Sequence, residues 1–196
     1  RTCWEIAQEL LLPVSTVWLW LKRHGLGRLR ALDPKPPIRR YERKRPGSLW
    51  HRDTKKLARI VRPGHRIHGD RSTRVEGAGW EFAHVAVDDH SRVAYAEVLP
   101  AEDQHTCTAF LARAAAYFRS HGVSIRRVTT DNGPRYRSKR FNRLCEQLGA
   151  KHLYTRPYTP RTNGKAERFI RTLKERWAYG CSYRSSASRT EALGPW

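Results

Sequence analysis

Apolar residues recur at helical spacing near the start of the chain. Four of them fall at positions i, i+3, i+4 and i+7, which places them on one face of a helix. These positions are Val14, Val17, Trp18 and Leu21. Pro13 suits the first turn of this helix, and Gly25 lies where the helix would end. A shorter apolar face covers residues 4–10, so the pattern predicts two short helices within residues 4–24.

The two predicted helices are separated by a short break, an arrangement that resembles a helix-turn-helix. In that motif the second helix contacts DNA in a groove. The residues expected to make this contact are Ser15, Thr16 and Arg23. Leu11 stands where the turn usually carries glycine, and a plain helical hairpin is the alternative interpretation. We predict a partial helix-turn-helix segment over residues 1–32.

Residues 33–48 (DPKPPIRRYERKRPGS) are rich in proline and basic residues. Because proline cannot donate a backbone hydrogen bond, this segment is predicted to be an extended linker rather than a helix. Its charge would allow it to lie along a phosphate backbone, and a solvated tether is the alternative.

Strand patterns begin after residue 48. Residues 49–57, 80–87 and 92–99 are predicted strands, the last two as a hairpin, and shorter β-prone runs cover 125–130 and 151–155. Helical stripes alternate with the later strands. Their predicted landmarks are an N-cap at Asp103, an N-cap at Ser138 and a last helix over residues 165–179. The order predicts an α/β domain over residues 49–196, in which helices flank a mixed sheet.

The charge of the chain indicates the kind of partner that it binds. Lys and Arg number 39 against 18 Asp and Glu, which gives a formal charge of +21. Such a surface attracts polyanions, since each neutralised phosphate releases condensed counterions. Small domains rarely need more than about 8 net charges for solubility alone, so a nucleic acid is the expected partner.

Cysteine usage and hydropathy narrow the location of the protein. The four cysteines lack C-x-x-C spacing, which argues against a disulfide scaffold or a structural zinc site. The chain has no run of 18 apolar residues, so we do not expect a membrane partner. We expect a cytoplasmic, nucleoid-associated location. Because the sequence contains no Met, we expect it to be part of a longer gene product.

Three carboxylates stand at element ends, where they could hold metal ions. Asp53 lies in the first predicted strand of the domain, Asp131 directly follows the run 125–130, and Glu167 lies one turn into the last helix. Phosphodiester cleavage by two hard cations about 4 Å apart needs converging oxygen ligands of this kind. Two of them have a simpler interpretation. Asp131 could be a turn former before Asn-Gly, and Glu167 could complement the helix dipole. Asp88 and Asp89 also end a strand, and we favour a structural role for them.

Four segments resemble, in order, the integrase-type catalytic core of bacterial insertion-sequence transposases, which belong with the retroviral integrases. The segments are LWHRDTKKL, VAVDDHSRVAYAEVL, TTDNGPRY and RPYTPRTNGKAERFIRTLKERW. The resemblance covers residues 49–196, and 35 residues separate Asp131 from Glu167, the spacing for which the class is named.

This resemblance implies an RNase H-like fold with Asp53, Asp131 and Glu167 as a catalytic triad that holds two Mg²⁺ ions, for which Mn²⁺ substitutes. It also implies a DDE transposase that cleaves the ends of a DNA element and joins them to target DNA, working as a homo-oligomer on DNA. A domesticated remnant that binds DNA without cutting it, and a nuclease of the same fold that does not join, are the alternatives.

Basic residues flank the glutamate on the last predicted helix. Those expected to contact phosphates are Lys165, Arg168, Arg171 and Lys174, together with the loop over residues 156–163. Arg171 and Lys174 lie four and seven positions after Glu167, which sets them on the same side of a helix. Simple charge complementarity on a solvated helix is the alternative.

Overall fold

The computed structural model describes residues 1–27, 42–72, 75–155 and 163–196, with the exception of the side chain of residue 66. The chain divides into two compact units, Arg1–Tyr41 and Glu42–Trp196. Most of the predicted linker, residues 33–41, lies outside the described residues. The second unit begins earlier than the predicted residue 49, because residues 42–48 are hydrogen-bonded into it. Gly47 N–H, for example, donates to Asp88 Oδ1 at 2.8 Å.

The first unit contains the two predicted helices, α1 (Cys3–Glu9) and α2 (Val14–Arg23). A capping box between Thr2 and Glu5 begins α1, and Gly25 after α2 has φ +71° as predicted for a helix end. Pro13 is the N-cap of α2 rather than part of its first turn. Leu11, the residue that replaces the usual glycine, itself adopts a left-handed conformation with φ +54°.

The second unit is built on a five-stranded mixed sheet. The strands are β1 (Trp50–Ala58), β2 (Trp80–Asp88), β3 (Ala94–Leu99), β4 (Arg127–Thr130) and β5 (Lys151–Tyr154). Their order across the sheet is β3-β2-β1-β4-β5. β1, β2 and β3 pair antiparallel, whereas β4 pairs parallel to both β1 and β5. This confirms the predicted hairpin and mixed sheet, and it places β1 at the centre.

Helices cover both faces of the sheet. The helices described in this unit are α3 (His65–His68), α4 (Gln104–Ser120), α5 (Pro134–Arg137), α6 (Lys139–Gln147), α7 (Gly164–Leu173) and α8 (Ser186–Glu191). The predicted N-caps are confirmed, since Asp103 accepts from two amides of α4 and Ser138 accepts from one of α6. The stripe predicted for α4, which consists of Cys107, Phe110, Leu111, Ala114 and Phe118, is buried with Trp50 of β1 on one face. The stripe of α7, including Ile170 and Leu173, packs on the other face.

The last predicted helix is interrupted. The α-helix ends at Leu173 and continues as a π-helical turn over Lys174–Ala178, in which Tyr179 N–H donates to the Lys174 carbonyl at 3.0 Å. The short helices α3, α5 and α8 were not predicted, because four to six residues carry too little periodicity to detect. Within the described ranges, no helix is long and apolar enough to cross a membrane.

Candidate active site

The sheet brings the three predicted carboxylates to one region. Asp53 lies in the middle of the central strand β1, and Asp131 is the first residue after β4. β1 and β4 pair in parallel with His51 opposite Thr129, so the same register continued by two residues sets Asp131 beside Asp53. Glu167 lies in the first turn of α7, which packs against β1 and β2. The predicted triad therefore gathers around the central strand.

Electrostatics connect Asp53 to the other two carboxylates. Burial raises the pKa of Asp53, and repulsion from Asp131 and Glu167 raises this pKa further. The Thr54 N–H, which donates to Asp53 Oδ1 at 2.7 Å, opposes the rise, as does the positive charge of Arg52. The side chains of Asp53 and Asp131 are partly buried, whereas Glu167 is exposed. The site therefore concentrates negative charge at the surface of a positively charged chain.

Asp131 is held by its own turn and by an arginine. The Gly133 N–H donates to Asp131 Oδ1 at 2.8 Å. Arg135 Nη2 lies 3.4 Å from Asp131 Oδ2, and Arg135 Nη1 lies 3.0 Å from Glu102 Oε2. Arg135 was not predicted from the sequence, although the spacing of four residues from Asp131 is a recognisable signal for an ion pair. This arrangement orients one carboxylate of the triad before any substrate is present.

The residues present suit divalent metal ions in their chemistry. Carboxylate oxygens are the ligands that Mg²⁺ prefers, and the repulsion around Asp53 is the kind of interaction that a cation relieves. Among the described residues, no group of three or more His, Cys, Asp or Glu side chains is already close enough to enclose an ion. The oxygen chemistry of Asp53, Asp131 and Glu167 thus fits divalent cations, although the described side chains do not enclose a site.

Asp88 and Asp89 are fully buried and bonded within the fold. Asp88 Oδ2 accepts from the Ser91 N–H and hydroxyl, each at 2.8 Å, which shapes the turn between β2 and β3. Asp89 Oδ1 lies 2.5 Å from Lys165 Nζ and 2.8 Å from His51 Nε2. These contacts agree with the structural role predicted for both aspartates.

Lys165 requires a correction to the predicted DNA surface. Its ammonium pairs with the buried Asp89 carboxylate and donates to the Asp89 carbonyl at 2.8 Å. The carboxylate of Asp89, which is distant in the sequence, therefore binds the Lys165 side chain that was expected to contact phosphate. The ion pair fixes the start of α7, two residues before Glu167, against the β2–β3 turn.

A second polar contact ties the start of α7 to β1. Asn163 Nδ2 donates to the Arg52 carbonyl at 3.2 Å, and Asn163 Oδ1 lies 3.3 Å from His51 Nδ1. Burial lowers the pKa of His51, against the opposing effect of Asp89. Asn163 was expected to contact phosphates as the last residue of the loop over residues 156–163, and His51 was predicted only as a basic neighbour of Asp53 that could hold DNA; both are buried in the structure. The signal available was their position, since His51 precedes Asp53 by two residues and Asn163 opens the Glu167 helix.

The other predicted DNA-contacting residues differ in exposure. Arg168 and Arg171 are exposed on α7, and Arg171 Nε lies 3.4 Å from Glu175 Oε1 in a surface ion pair. Lys174 is partly buried at the start of the π-helical turn. The loop predicted to contact phosphates covers residues 156–163, of which 156–162 lie outside the described residues. In the first unit, Ser15 and Arg23 are exposed and Thr16 is half-buried on α2.

The mixed sheet of order β3-β2-β1-β4-β5, with helices packed on both faces, is an RNase H-like fold, as the resemblance implied. The family model described as Integrase core domain matches residues 43–160, and a second model with the same description matches residues 148–196. The chain belongs to the integrase core domain family.

Curated relatives share shorter stretches of sequence. The "Retrovirus-related Pol polyprotein from transposon TNT 1-94" of Nicotiana tabacum is 37% identical over 90 residues, which are 46% of this chain and 7% of the polyprotein. The "Intracisternal A-particle Pol-related polyprotein" of mouse intracisternal a-particle MIA14 is 35% identical over 95 residues, 48% of this chain and 10% of the polyprotein. The chain thus spans a tenth or less of the length of these relatives.

Solved structures share the fold at low sequence identity. A chain of the simian T-cell lymphotropic virus intasome, determined in complex with PP2A regulatory subunit B56 gamma, matches with a TM-score of 0.60 and 20% identity. That match covers 98% of this chain and 67% of the other. The catalytic core domain of BIV integrase matches with a TM-score of 0.49 and 23% identity, covering 76% of this chain and 79% of that one.

Proposed function

We propose that this chain carries the catalytic core of a DDE transposase, an enzyme that cleaves DNA strands and joins them to new sites by metal-dependent phosphoryl transfer. One observation carries the proposal. Asp53, Asp131 and Glu167 come from β1, the end of β4 and α7, and the latter two raise the pKa of the first. Such a cluster occurs here within a strongly basic chain of the integrase core domain family.

The proposed cofactor is a pair of Mg²⁺ ions, for which Mn²⁺ substitutes, held by Asp53, Asp131 and Glu167. When bound, such a pair activates the attacking oxygen and stabilises the leaving oxygen of an in-line displacement. The protein's part is to present the carboxylates in fixed positions. The amides of Thr54 and Gly133 orient the first two by hydrogen bonds, and the packing of α7 against β1 and β2 places the third.

The proposed substrate is double-stranded DNA, both the ends of an element and its target. Arg168, Arg171 and Lys174 follow Glu167 and would bind phosphates, which position a duplex without specifying sequence. Ser15, Thr16 and Arg23 of α2 would contact element ends. A homo-oligomer on DNA is part of the proposal, since cleaving and joining two ends requires both to be held together. The match to a chain of a solved intasome supports the fold proposed for this chain, not the assembly itself.

The test is a strand-joining assay with labelled duplexes that carry the element ends, in Mg²⁺, Mn²⁺ and EDTA. Asp53→Asn, Asp131→Asn and Glu167→Gln each remove one ligand charge at nearly constant shape. We expect each variant to lose nearly all cleavage and joining while its DNA affinity is equal or slightly higher. Glu175→Gln is the matched control, because it removes an exposed charge in the same C-terminal helical segment.

The outcomes separate the three candidate functions. Joined product that depends on metal and on all three carboxylates supports a transposase. Hydrolysis without joined product would identify a nuclease of the same fold. Binding without either reaction, in parent and variants alike, would identify a DNA-binding remnant. Robust cleavage in EDTA would exclude the two-metal mechanism.

A further inference from the structure

Arg52 is a fully buried cation directly beside the candidate metal ligands. Its exposed fraction is 0%, and its guanidinium packs 4.6 Å from the centroid of the Phe110 ring and 5.1 Å from that of Tyr136. Within the described part of the chain, no carboxylate lies at ion-pair distance from it, and Arg52 Nε makes no hydrogen bond. This charge is therefore held in the core without a direct counterion.

A buried charge without a counterion is costly, because the charge loses its hydration and gains no ion pair in return. Arg189 shows the usual solution in the same chain, because this other buried guanidinium lies 2.6 Å from Glu81 Oε2. Arg52 has instead a set of neutral acceptors. Stability alone thus gives no reason for an arginine at this position, and the geometry of its hydrogen bonds needs another explanation.

The hydrogen bonds of Arg52 join the two segments that present aspartates. In β1, its Nη1 group donates to the Asp53 carbonyl at 2.6 Å and contacts the Thr54 hydroxyl. The same group donates to the Tyr136 hydroxyl at 2.7 Å, and that hydroxyl lies 3.1 Å from Thr54 Oγ1. Tyr136 belongs to α5, the helix that follows Asp131 after two intervening residues. One planar donor thus connects the strand at Asp53 with the turn that holds Asp131.

A histidine fixes the other end of the guanidinium. His84 Nε2 lies 2.8 Å from the Ala101 carbonyl, which can only accept, so this nitrogen carries the hydrogen. His84 Nδ1 is then an acceptor for Arg52 Nη2, which contacts it. Burial, and next the charge of Arg52, lower the pKa of His84 to about 3, so the histidine stays neutral in this role. Arg52 is therefore held at both of its amino groups.

We propose that Arg52 is a positioning residue that sets the separation of the Asp53 and Asp131 carboxylates and thereby the affinity of the site for divalent cations. Successive side chains of a strand point to opposite faces, so Arg52 acts from beneath the sheet while Asp53 faces the site. Arg52 touches neither metal nor DNA in this role. The inference rests on the proposed function for the identity of the site, but it concerns metal binding, which can be measured without a reaction.

The main test is Arg52→Met, which keeps an unbranched apolar stem and removes every donor. Its readout is the rise in melting temperature on titration with Mg²⁺ alone, beside the joining rate at saturating Mg²⁺. Replacing a residue that orients metal ligands typically costs about 10- to 100-fold in affinity or activity. We expect losses of this size in both readouts, with DNA affinity at low metal unchanged.

Two further variants keep the proposal testable if Arg52→Met does not fold. Tyr136→Phe removes only the hydroxyl that bridges to α5 and should raise the Mg²⁺ concentration for half-saturation. Arg52→Lys keeps the charge but cannot span the same acceptors, so it should fail to restore parental Mg²⁺ affinity. Arg189→Met is the matched control, and it should lower stability without changing the Mg²⁺ dependence of the folded protein.

Each result points to a different conclusion. Parental Mg²⁺ half-saturation in Arg52→Met, or in Tyr136→Phe where the first variant is unfolded, would overturn the positioning role. The positioning role would also be overturned if the loss of activity were fully explained by a smaller amount of folded protein. If the parent binds Mg²⁺ and Arg52→Met binds it weakly, while neither joins DNA, the positioning role stands and the proposed transposase activity fails.

Discussion

Gly133→Ala should separate the geometry of the Asp131 carboxylate from the stability of the fold. A Cβ atom at Gly133 would lie 2.9 Å from Asp131 Oδ1, whereas ordinary contacts begin at 3.4 Å. The carboxylate would therefore move by at least about 0.5 Å. The backbone itself accepts alanine, because φ is −58° and ψ is 145° at this residue. The substitution is thus a small, directed displacement of one proposed metal ligand.

The magnitude depends on two opposing effects. A misplacement of 1 Å at a reacting centre can cost about 100-fold in rate, so a shift of half that size should cost about 10-fold. Replacing glycine by alanine at a compatible position stabilises a protein by about 0.4–1 kcal/mol, because it restricts the unfolded chain. For a domain of this size that corresponds to a melting temperature higher by roughly 1–4 °C. Activity should fall while stability rises.

The assay compares joining rates at saturating Mg²⁺ with melting temperatures from calorimetry. Gly64→Ala is the control, since its φ is −97° and nothing lies within 4 Å of the added Cβ. A Gly133→Ala variant with a joining rate within about twofold of the parent would refute the reasoning. A drop in melting temperature would refute the predicted gain in stability, since the backbone at Gly133 would then not tolerate a side chain.

Three further predictions concern the surface, the turn of the first unit and the core. Arg168→Ala should lower the slope of log DNA affinity against log salt by about 0.9 on any sequence, measured from about 50 to 200 mM salt, if Arg168 contacts a phosphate. Leu11→Gly should stabilise the first unit by roughly 0.5–1 kcal/mol by relieving the left-handed conformation, seen as slower amide exchange in α1 and α2. Burial raises the pKa of Cys145 to about 12, so this thiol should resist alkylation at neutral pH until the protein unfolds, whereas the exposed Cys181 reacts at once.

Local patterns were enough to predict most of the fold. Strands with β-branched and aromatic residues, the caps at Asp103 and Ser138 and the stripe of α4 depend on neighbours a few positions away. The π-helical turn could not be predicted, because the apolar spacing of Ile170, Leu173 and Trp177 fits an uninterrupted α-helix equally well.

The prediction of site residues was limited by long-range partners. Lys165 was expected to contact phosphates, yet its ammonium pairs with Asp89, which lies 76 positions away in the sequence. Arg52 was passed over for the same reason. Its acceptors on Tyr136 and His84 lie 84 and 32 positions away, and only the assembled sheet shows that the guanidinium is enclosed. Residues whose role depends on one distant acceptor leave no periodic signal in the sequence.

The π-helical turn constrains how the length of this chain can change. A π turn holds one more residue than an α turn, so deleting any residue within Lys174–Ala178 would restore the α-helix and rotate the C-terminal segment beyond it by about 100°. The indole of Trp177 donates to the Arg189 carbonyl at 2.9 Å, and the Tyr183 hydroxyl donates to the Trp177 carbonyl at 2.9 Å. Both hydrogen bonds require the present rotation of the C-terminal segment about the helix axis. A relative that lacks the extra residue is therefore expected to carry its tryptophan at a shifted position, or to fasten its C-terminal segment by other contacts.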